Sequence, residues 1–409
     1  MAAHAQFSQS SKKRTANKPS SRAPRTTVLH IVADLEPGDP ARETVDLAVQ
    51  TQRAGWRALI ASSGGLLVTE AERAAVRHTG MPLDQSSMLA SWGNRMRLGA
   101  LIQKERPALL HAHGINAAAQ AGAVARAQRL PLVVDFTQPL PHRPRTRRIL
   151  KRLGKLPCIV RVSSDYMARQ LRDTFHWPAD RLRLIPPGID LQLYHPGSIA
   201  PERLQELSRL WRIPEHAAVI LMPMPFTEGG GHELLLKALV PLKRDDIFAV
   251  LIGNNRPASG VHTEIDALVD DHGLNGKVIM PDYCLDWPAA CWLANVVVVP
   301  NTAPRGQVPE LLAAQAIGRP VIVSDCGANC ELVQSGETAW VIPPRNISAL
   351  SRALTEAAGL NTNQRLDLAR RTRDFIAGNF PQTKWFNAMM DIYESLMSPA
   401  GRRRKAAAA

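Results

Sequence analysis

Short runs of β-branched and other apolar residues recur along the whole sequence, each bounded by glycine, proline or aspartate. This rhythm predicts parallel strands covered by helices on both faces, because strands buried on both sides read as nearly continuous apolar runs. Six predicted strands lie in the first half: Thr27–Ala33, Arg57–Ser62, Ala108–His111, Pro131–Asp135, Cys158–Ser163 and Leu182–Pro186. Six more lie in the second half: Ala218–Pro223, Ile247–Gly253, Lys277–Pro281, Asn295–Pro300, Pro320–Ser324 and Ala339–Ile342.

Amphipathic segments between these runs, such as Glu43–Ala54, Asn116–Ala127 and Val308–Ile317, predict the covering helices. A chain of 409 residues exceeds what one hydrophobic core usually supports, so we expect two α/β domains, each doubly wound and Rossmann-like. The predicted order is a basic tail (1–26), an N-terminal domain (27–195), a linker (196–215), a C-terminal domain (216–380), a terminal helix (381–397) and a second basic tail (398–409). That terminal helix can cross back onto the first domain.

The net charge of +14 at first suggests a nucleic-acid partner. However, residues 1–26 and 402–405 together contribute ten positive charges and no acid, which leaves a net charge of only +4 for the rest of the chain. No helix-turn-helix, zinc-finger or RNA-binding signature accompanies the charge. Nucleic-acid binding is therefore not expected, and the tails are expected to be disordered.

The five cysteines, which are odd in number, do not show the paired spacing of a zinc knuckle or a redox site. We expect them to be reduced and mostly buried, and we predict neither a metal site nor a cofactor. No apolar run reaches the roughly 18 residues of a membrane span, and the N-terminus does not resemble a signal peptide. These features predict a cytoplasmic protein.

Several motifs, in a fixed order, make the chain resemble a known family over roughly Thr27–Leu396. In the first domain they are Val28–Asp34, Leu110-His-Ala-His-Gly114, Val160-Arg-Val-Ser-Ser-Asp165 and Arg181–Asp190. In the second they are Val219–Pro223, Val250-Leu-Ile-Gly253, Ala316–Val323 and Gly336–Pro343. In this order and spacing, the sequence resembles glycosyltransferase family 4, also called the glycosyl transferases group 1 family.

The resemblance implies a GT-B fold, in which two Rossmann-like domains face a cleft. It also implies that a sugar is transferred from a nucleotide-diphosphate donor to a glycan or lipid acceptor, with retention of the anomeric configuration. In the family, an Arg and a Lys five residues later hold the donor phosphates. Alignment on that motif places Pro225 and Gly230 at these two positions, so both cations are absent. The loss of both is expected to slow transfer severely, because they stabilise the charge that develops on the leaving group.

The family also has two glutamates eight positions apart, which bind the donor sugar and the ribose. Alignment on Ala314–Pro320 places Arg305 and Ala313 at these positions. Glu310 precedes Ala313 by one helical turn, so it can either reach the ribose site or lie in solvent as a helix-capping residue. Arg305 is a candidate replacement for the missing phosphate cations.

Three further features bear on a site in the cleft. Gly229, Gly230 and Gly231 lie between a strand and a helix, where glycine amides can hold an anion or can simply form a permissive turn. His113 ends a strand that is expected to face the cleft, so it is a candidate catalytic residue, although a strand-end histidine can equally cap or pack. The family's glycine-rich loop is replaced by Asp34–Pro40, whose acids and prolines do not favour phosphate.

Seven cations lie in one short segment of the first domain, interleaved with Ile149, Leu150 and Leu153: Arg143, Arg145, Arg147, Arg148, Lys151, Arg152 and Lys155. The segment predicts either a basic helix that binds an anionic membrane at its inner face or a helix whose cations lie in solvent.

Two functions remain open from the sequence. The chain is either a nucleotide-sugar-dependent glycosyltransferase with a rebuilt phosphate clamp, or a catalytically inactive family member that acts as a binding or scaffold partner in envelope polysaccharide assembly.

Overall fold

A computed structural model describes residues 26–38, 40–85, 87–242, 244–253, 261–281 and 284–397. The predicted basic tails, 1–26 and 398–409, lie outside the described residues except for Thr26. Within the described ranges, the chain forms two parallel sheets, each covered by helices on both faces. This confirms the predicted α/β fold class.

The first sheet contains seven strands in the order β3-β2-β1-β4-β5-β6-β7. The strands are β1 (Thr27–Ile31), β2 (Arg57–Ser62), β3 (Arg77–Gly80), β4 (Leu109–His113), β5 (Leu132–Phe136), β6 (Cys158–Val162) and β7 (Leu182–Leu184). All six strands predicted for this half are present. The edge strand β3 was not predicted, because its residues Arg77-His-Thr-Gly80 are polar and show no apolar run.

Two layers of helices cover this sheet. The helices of this half are α1 (Ala41–Arg53), α2 (Val68–Arg73), α3 (Met88–Glu105), α4 (Gly114–Gln128), α5 (Pro144–Leu153) and α6 (Asp165–Arg169). Apolar residues of α3, α4, α5 and α6 form the main core on one face of the sheet. Helices α1 and α2 pack on the other face.

The second sheet contains six strands in the order β10-β9-β8-β11-β12-β13. They are β8 (Ala218–Pro223), β9 (Ile247–Ile252), β10 (Val278–Ile279), β11 (Val296–Val299), β12 (Val321–Ser324) and β13 (Ala339–Ile342), and they match the six predicted strands. The four consecutive valines of β11 are all buried, as expected for a central parallel strand.

Eight α-helices follow the first sheet in the described residues, and the last of them, α14, returns to the first domain. They are α7 (Pro201–Leu210), α8 (His232–Leu239), α9 (Val261–Asp271), α10 (Trp287–Leu293), α11 (Glu310–Ile317), α12 (Ile347–Gly359), α13 (Thr362–Asn379) and α14 (Gln382–Met397). Helix α7 lies within the predicted linker, yet it packs against α10, and its Leu207 and the following Trp211 belong to the second core. The segment between the domains is therefore attached to the second domain rather than free.

The terminal helix α14 crosses back onto the first domain. Its Trp385, Met389 and Tyr393 pack with Val28 and Val133 on the sheet face that α1 also covers. The two chain crossings between the domains are hydrogen-bonded to each other: Ile189 N–H donates to the Phe380 carbonyl at 2.9 Å, and Gln382 N–H donates to the Ile189 carbonyl at 2.9 Å. The C-terminal helix α14 thus follows the second domain in sequence and packs on the first domain, so that it joins the two.

The five cysteines are all in the described part of the chain and none forms a disulfide, which agrees with the prediction of reduced thiols. Three of them are buried, and Cys326 and Cys330 are partly buried.

No helix in the described ranges is both long enough and apolar enough to span a bilayer.

Candidate active site

The two sheets each reverse their strand order at one point, and these points locate the candidate site. The second sheet reverses between β8 and β11, so the loops that follow these strands, 224–231 and 300–309, lie side by side. The first sheet reverses between β1 and β4. In open parallel sheets, ligands bind beyond the carboxyl ends of the strands at such a reversal.

The three glycines 229–231 adopt the turn that leads into α8. Gly229 and Gly231 have φ angles of 77° and 91°, which are strained for residues with a side chain. A Cβ atom on Gly231 would lie 2.1 Å from the Pro300 carbonyl oxygen, and one on Gly229 would lie 2.7 Å from the Ala303 Cβ. The glycines are therefore required for packing against the loop after β11. They also leave the backbone at the N-terminus of α8 open to close approach, so both sequence-based interpretations remain.

Arg305 joins these two loops. Its Nη2 donates to the Thr227 hydroxyl at 2.5 Å and to the Glu228 carbonyl at 2.8 Å. Partial burial lowers the pKa of the guanidinium, and no described carboxylate forms an ion pair with it. Its Nε is buried without a hydrogen-bond partner in the described structure. An arginine with spare donors and no acid, held over a glycine loop at a helix N-terminus, is well suited to bind an anion.

Two buried asparagines fix the backbone that carries Arg305. Asn301 Nδ2 donates to the carbonyls of Ala303 and Cys326 at 2.9 and 2.8 Å, and Asn329 Nδ2 donates to Asn301 Oδ1 at 3.2 Å. Asn329 Oδ1 in turn accepts the Val308 amide at 2.8 Å. The sequence analysis missed both residues, since asparagine in a loop carries no distinctive pattern.

Pro225, Gly230 and Ala313 occupy the positions at which the family carries its phosphate-binding cations and its ribose-binding glutamate. Pro225 is exposed and its carbonyl accepts the Thr227 amide at 2.8 Å. Gly230 is buried, and a Cβ atom there would lie 2.9 Å from the His232 ring. Ala313 is 2% exposed. None of these three positions offers a charged group.

Glu310 is the first residue of α11 and is partly buried. Its charge helps to raise the pKa values of Tyr194, Cys284 and Cys291, although burial is the larger cause for each of them. Glu310 therefore faces Tyr194 and α10. Its assignment to the donor ribose stays a prediction.

Two backbone amides at the start of the loop after β1 form hydrogen bonds within the protein. Leu35 N–H donates to the Gly64 carbonyl at 2.7 Å, and Glu36 N–H donates to Asp34 Oδ1 at 3.2 Å. These amides are consequently engaged within the protein. The expectation that the loop does not favour phosphate stays a prediction.

His113 does not line an open cleft, which corrects the expectation about its orientation. Its ring is fully buried on the sheet face covered by α1 and α14, 3.5 Å from Asp135 Oδ2 and 3.2 Å from His30 Nδ1. Burial lowers the pKa of His113 to about 4. The reason is register: β4 continues to residue 113, so its side chain lies on the same covered face as His111. A catalytic role for His113 remains an untested prediction.

The two domains contact each other directly across the cleft. Gly306 N–H donates to Gln138 Oε1 of the first domain at 3.2 Å, and a Cβ atom on Gly306 would lie 2.2 Å from the Thr137 carbonyl oxygen. At a second contact between the domains, the Glu331 carboxylate accepts hydrogen bonds from the backbone amides of Asp165 and Tyr166 at 2.7 and 2.8 Å. The domains are thus close together beside Arg305.

A second surface of interest is the outer face of the first domain. In α5, Leu150 and Leu153 are buried, while the cations of the segment are exposed: Arg143, Arg145, Arg147, Arg148, Lys151, Arg152 and Lys155. Leu89, Trp92 and Met96 of α3 are 85%, 67% and 61% exposed and share one helix face. Both helices pack against α4, so the apolar stripe and the cations belong to the same layer of the domain.

Comparison with known proteins agrees with this architecture. The family model described as Glycosyltransferase Family 4 matches residues 41–193, and the model described as Glycosyl transferases group 1 matches residues 218–359. A GDP-mannose-dependent alpha-(1-6)-phosphatidylinositol monomannoside mannosyltransferase of Mycobacterium tuberculosis is 28% identical over 222 residues, which are 52% of this chain and 56% of that protein. The chain spans about half the length of the curated relatives it matches.

Two solved structures share the fold over nearly the whole chain. Anabaena Alr3699/HepE, in complex with UDP and glucose, has a TM-score of 0.81 at 17% identity and covers 91% of this chain and 100% of its own. A glycosyltransferase from Rickettsia africae has a TM-score of 0.79 at 19% identity and covers 92% and 100%. At these identities the likeness shows the fold alone. The two family models, which together match most of the chain, show that it belongs to glycosyltransferase family 4, the glycosyl transferases group 1 family, and the two structures show its GT-B fold.

Proposed function

We propose that the chain binds a nucleotide-diphosphate sugar in the cleft and transfers the sugar to a glycan or lipid acceptor, with the donor diphosphate held by Arg305 and the amides of residues 229–231. The observation that carries the proposal is Arg305 itself, a partly buried cation without an acidic partner among the described residues, fixed over the glycine loop. One relative is named for its dependence on GDP-mannose and one structural neighbour contains UDP, which supports a donor of this class. Retention of configuration rests on the family resemblance alone.

The chemistry requires positive potential where the diphosphate leaves. A guanidinium supplies several N–H donors in one plane and suits phosphate oxygens well. The family's cations lie in the loop after β8, the first strand of the second domain. Arg305 lies in the neighbouring loop after β11, so it reaches the point where the strand order reverses from the other of the two loops. Glu310 is the carboxylate that we assign to donor hydroxyl groups.

The proposal is tested by calorimetric titration of the full chain with UDP, GDP and ADP. A hydrogen bond to a charged group contributes about 1.5–3 kcal/mol, so Arg305→Ala is expected to weaken binding of the preferred nucleotide by roughly 10-fold to 100-fold. Arg305→Lys should retain part of the affinity, and Arg209→Ala on the exposed face of α7 should change nothing. Unchanged affinity in Arg305→Ala would remove Arg305 from the clamp.

A specific observation keeps a second candidate function open. The contacts of Gly306 with Gln138 and of Glu331 with α6 join the two domains directly. This arrangement suits an inactive family member that acts as a binding or scaffold partner in polysaccharide assembly. Wild-type protein that binds none of the three nucleotides at millimolar concentration would favour this alternative.

We also propose that the outer face of the first domain binds an anionic membrane at its cytoplasmic, inner surface. The exposed cations of α5 supply charge complementarity, and the exposed Leu89, Trp92 and Met96 supply apolar contact. Co-sedimentation with vesicles should require anionic lipid and should fall in a variant with Arg145, Arg148 and Lys151 changed to Glu. Reversal of three cations of the second domain, Arg209, Lys237 and Arg352, is the matched control. Binding that is insensitive to anionic lipid would overturn this proposal.

A further inference from the structure

Three histidines meet inside the first domain, beneath α14. His30 on β1 is the register partner of His111 on β4, and His113 follows two residues later, so the three side chains lie on one face of the sheet. All three are buried. One nitrogen from each lies within 4.8 Å of the others, and His30 Nδ1 is 3.2 Å from His113 Nε2.

Asp135 on the neighbouring strand β5 determines which nitrogens carry lone pairs. Its Oδ1 is 3.0 Å from His111 Nε2, and its Oδ2 is 3.5 Å from His113 Nδ1. A negative carboxylate favours the tautomers that carry their proton on the nitrogen facing it, which are His111 Nε2 and His113 Nδ1. In the neutral rings, His111 Nδ1 and His113 Nε2 then carry the lone pairs. These are the nitrogens on the side away from the carboxylate.

This is the arrangement in which a carboxylate orients histidines that bind a metal ion. Two nitrogens about 2.0–2.1 Å from a tetrahedral zinc ion are about 3.3 Å apart, close to the 3.2 Å between His30 and His113. The Tyr393 hydroxyl lies 2.6 Å from His111 Nδ1 and can donate a hydrogen bond to it, so a bound ion would take the place of the hydroxyl proton at this nitrogen. Hydrogen bonding within the described protein leaves His30 Nε2 buried without a partner.

The net charge of the groups around the cluster is also compatible with a bound cation. Arg161 is buried against both Glu43, with Nη1 and Oε1 2.6 Å apart, and Asp135, at 3.5 Å. With neutral histidines, these two carboxylates and one guanidinium give the network one net negative charge. A divalent ion would bring it to one net positive charge, which is a smaller imbalance than a cation in an uncharged core would create.

We propose that His30, His111 and His113 bind one divalent transition-metal ion, for which zinc is the best fit. The ion joins β1 to β4 beneath α14. Because the ligands are buried, the ion enters as the chain folds, and chelators remove it slowly from the native protein.

Metal analysis of the untagged, full-length protein tests this directly. We expect about one zinc or other divalent ion per chain after gel filtration. Refolding with Zn²⁺ should raise the unfolding midpoint by several degrees over refolding with EDTA, and refolding with Co²⁺ should give the visible absorption of a tetrahedral site. His30→Gln should lose the metal, whereas His232→Gln, at a buried histidine outside the cluster, should keep it.

Tyr393→Phe separates the metal site from simple packing. It retains the three nitrogen ligands and removes the hydroxyl that competes for His111 Nδ1, so it should bind the ion at least as tightly as the wild type. The proposal is overturned if the purified protein has no metal and neither Zn²⁺ nor Co²⁺ changes its unfolding or its spectrum on refolding. Equal metal content in the wild type and in His30→Gln would overturn it as well, because the ion would then lie elsewhere.

Discussion

At the scale of residues, His232 shows how the candidate site constrains protonation. It is the first residue of α8, its ring stacks on Phe226, and its Nε2 lies 3.2 Å from the Met224 carbonyl oxygen. Burial lowers the pKa of His232 to about 4, and the nearby charge of Arg305 also lowers it, against the hydrogen bond to Met224. The folded protein therefore holds this residue neutral.

This shift predicts a loss of stability in acid. Since the folded pKa of about 4 lies below the ordinary value of 6.5, unfolding takes up a proton between these pH values. The contribution of His232 to the free energy of unfolding is complete above pH 6.5. It falls by about 1.4 kcal/mol per pH unit as the pH decreases toward 4. Denaturant unfolding of the wild type and of His232→Gln at pH 7, 6 and 5 measures it.

The variant should have the shallower pH dependence, and His195→Gln, at an exposed residue, should match the wild type. Equal slopes for His232→Gln and the wild type would show that this histidine is not held neutral by the fold.

At the residue level, the sequence indicated features that depend on neighbouring residues, but it could not indicate contacts between distant segments. The position of Arg305 beside the glycine loop follows from the aligned motif, but its bonds to Thr227 and Glu228 depend on β8 and β11 being neighbours. The orientation of His113 was wrong because its face of the sheet is covered by α14. That helix comes from the opposite end of the chain, with Tyr393 packed against His111.

At the scale of elements, the joint between the domains depends on close contact of two chain segments. Gly188 lies against the start of α14, and a Cβ atom there would lie 2.7 Å from both Gln382 Cα and Trp385 Cβ. The twelve apolar strands were predictable because their pattern is local. The contact of Gly188 with α14 was not predictable, because nothing in the sequence around this glycine indicates which distant segment packs against it.

We predict that Gly188→Ala displaces α14 and lowers the free energy of unfolding by about 1–3 kcal/mol, the usual cost of overpacking. Thermal or denaturant unfolding measures the change. Gly359→Ala is the matched control, since a Cβ atom there meets no heavy atom within 4 Å. A variant as stable as the wild type would mean that α14 moves without cost.

At the scale of the whole molecule, the contact of Glu331 with α6 holds the cleft together. Its carboxylate accepts two backbone amides of the first domain, those of Asp165 and Tyr166. Motions that open and close two domains around a ligand are common in enzymes with a cleft. Loss of this contact should therefore shift the domains toward a more open arrangement.

For Glu331→Ala we expect a larger radius of gyration by X-ray scattering and faster hydrogen exchange at the amides of Asp165 and Tyr166. Glu337→Ala, at an exposed glutamate of the same domain, serves as the control. Scattering and exchange identical to those of the wild type would show that the contact does not hold the domains.

The central claim is that a donor diphosphate lies between Arg305 and the glycine loop. A crystal structure of the chain with its tightest-binding nucleoside diphosphate tests it most directly. We predict a β-phosphate oxygen within hydrogen-bonding distance of the Arg305 guanidinium and of an amide of Gly229, Gly230 or Gly231. A nucleotide bound away from Arg305, or an empty cleft at saturating nucleotide, would contradict the claim.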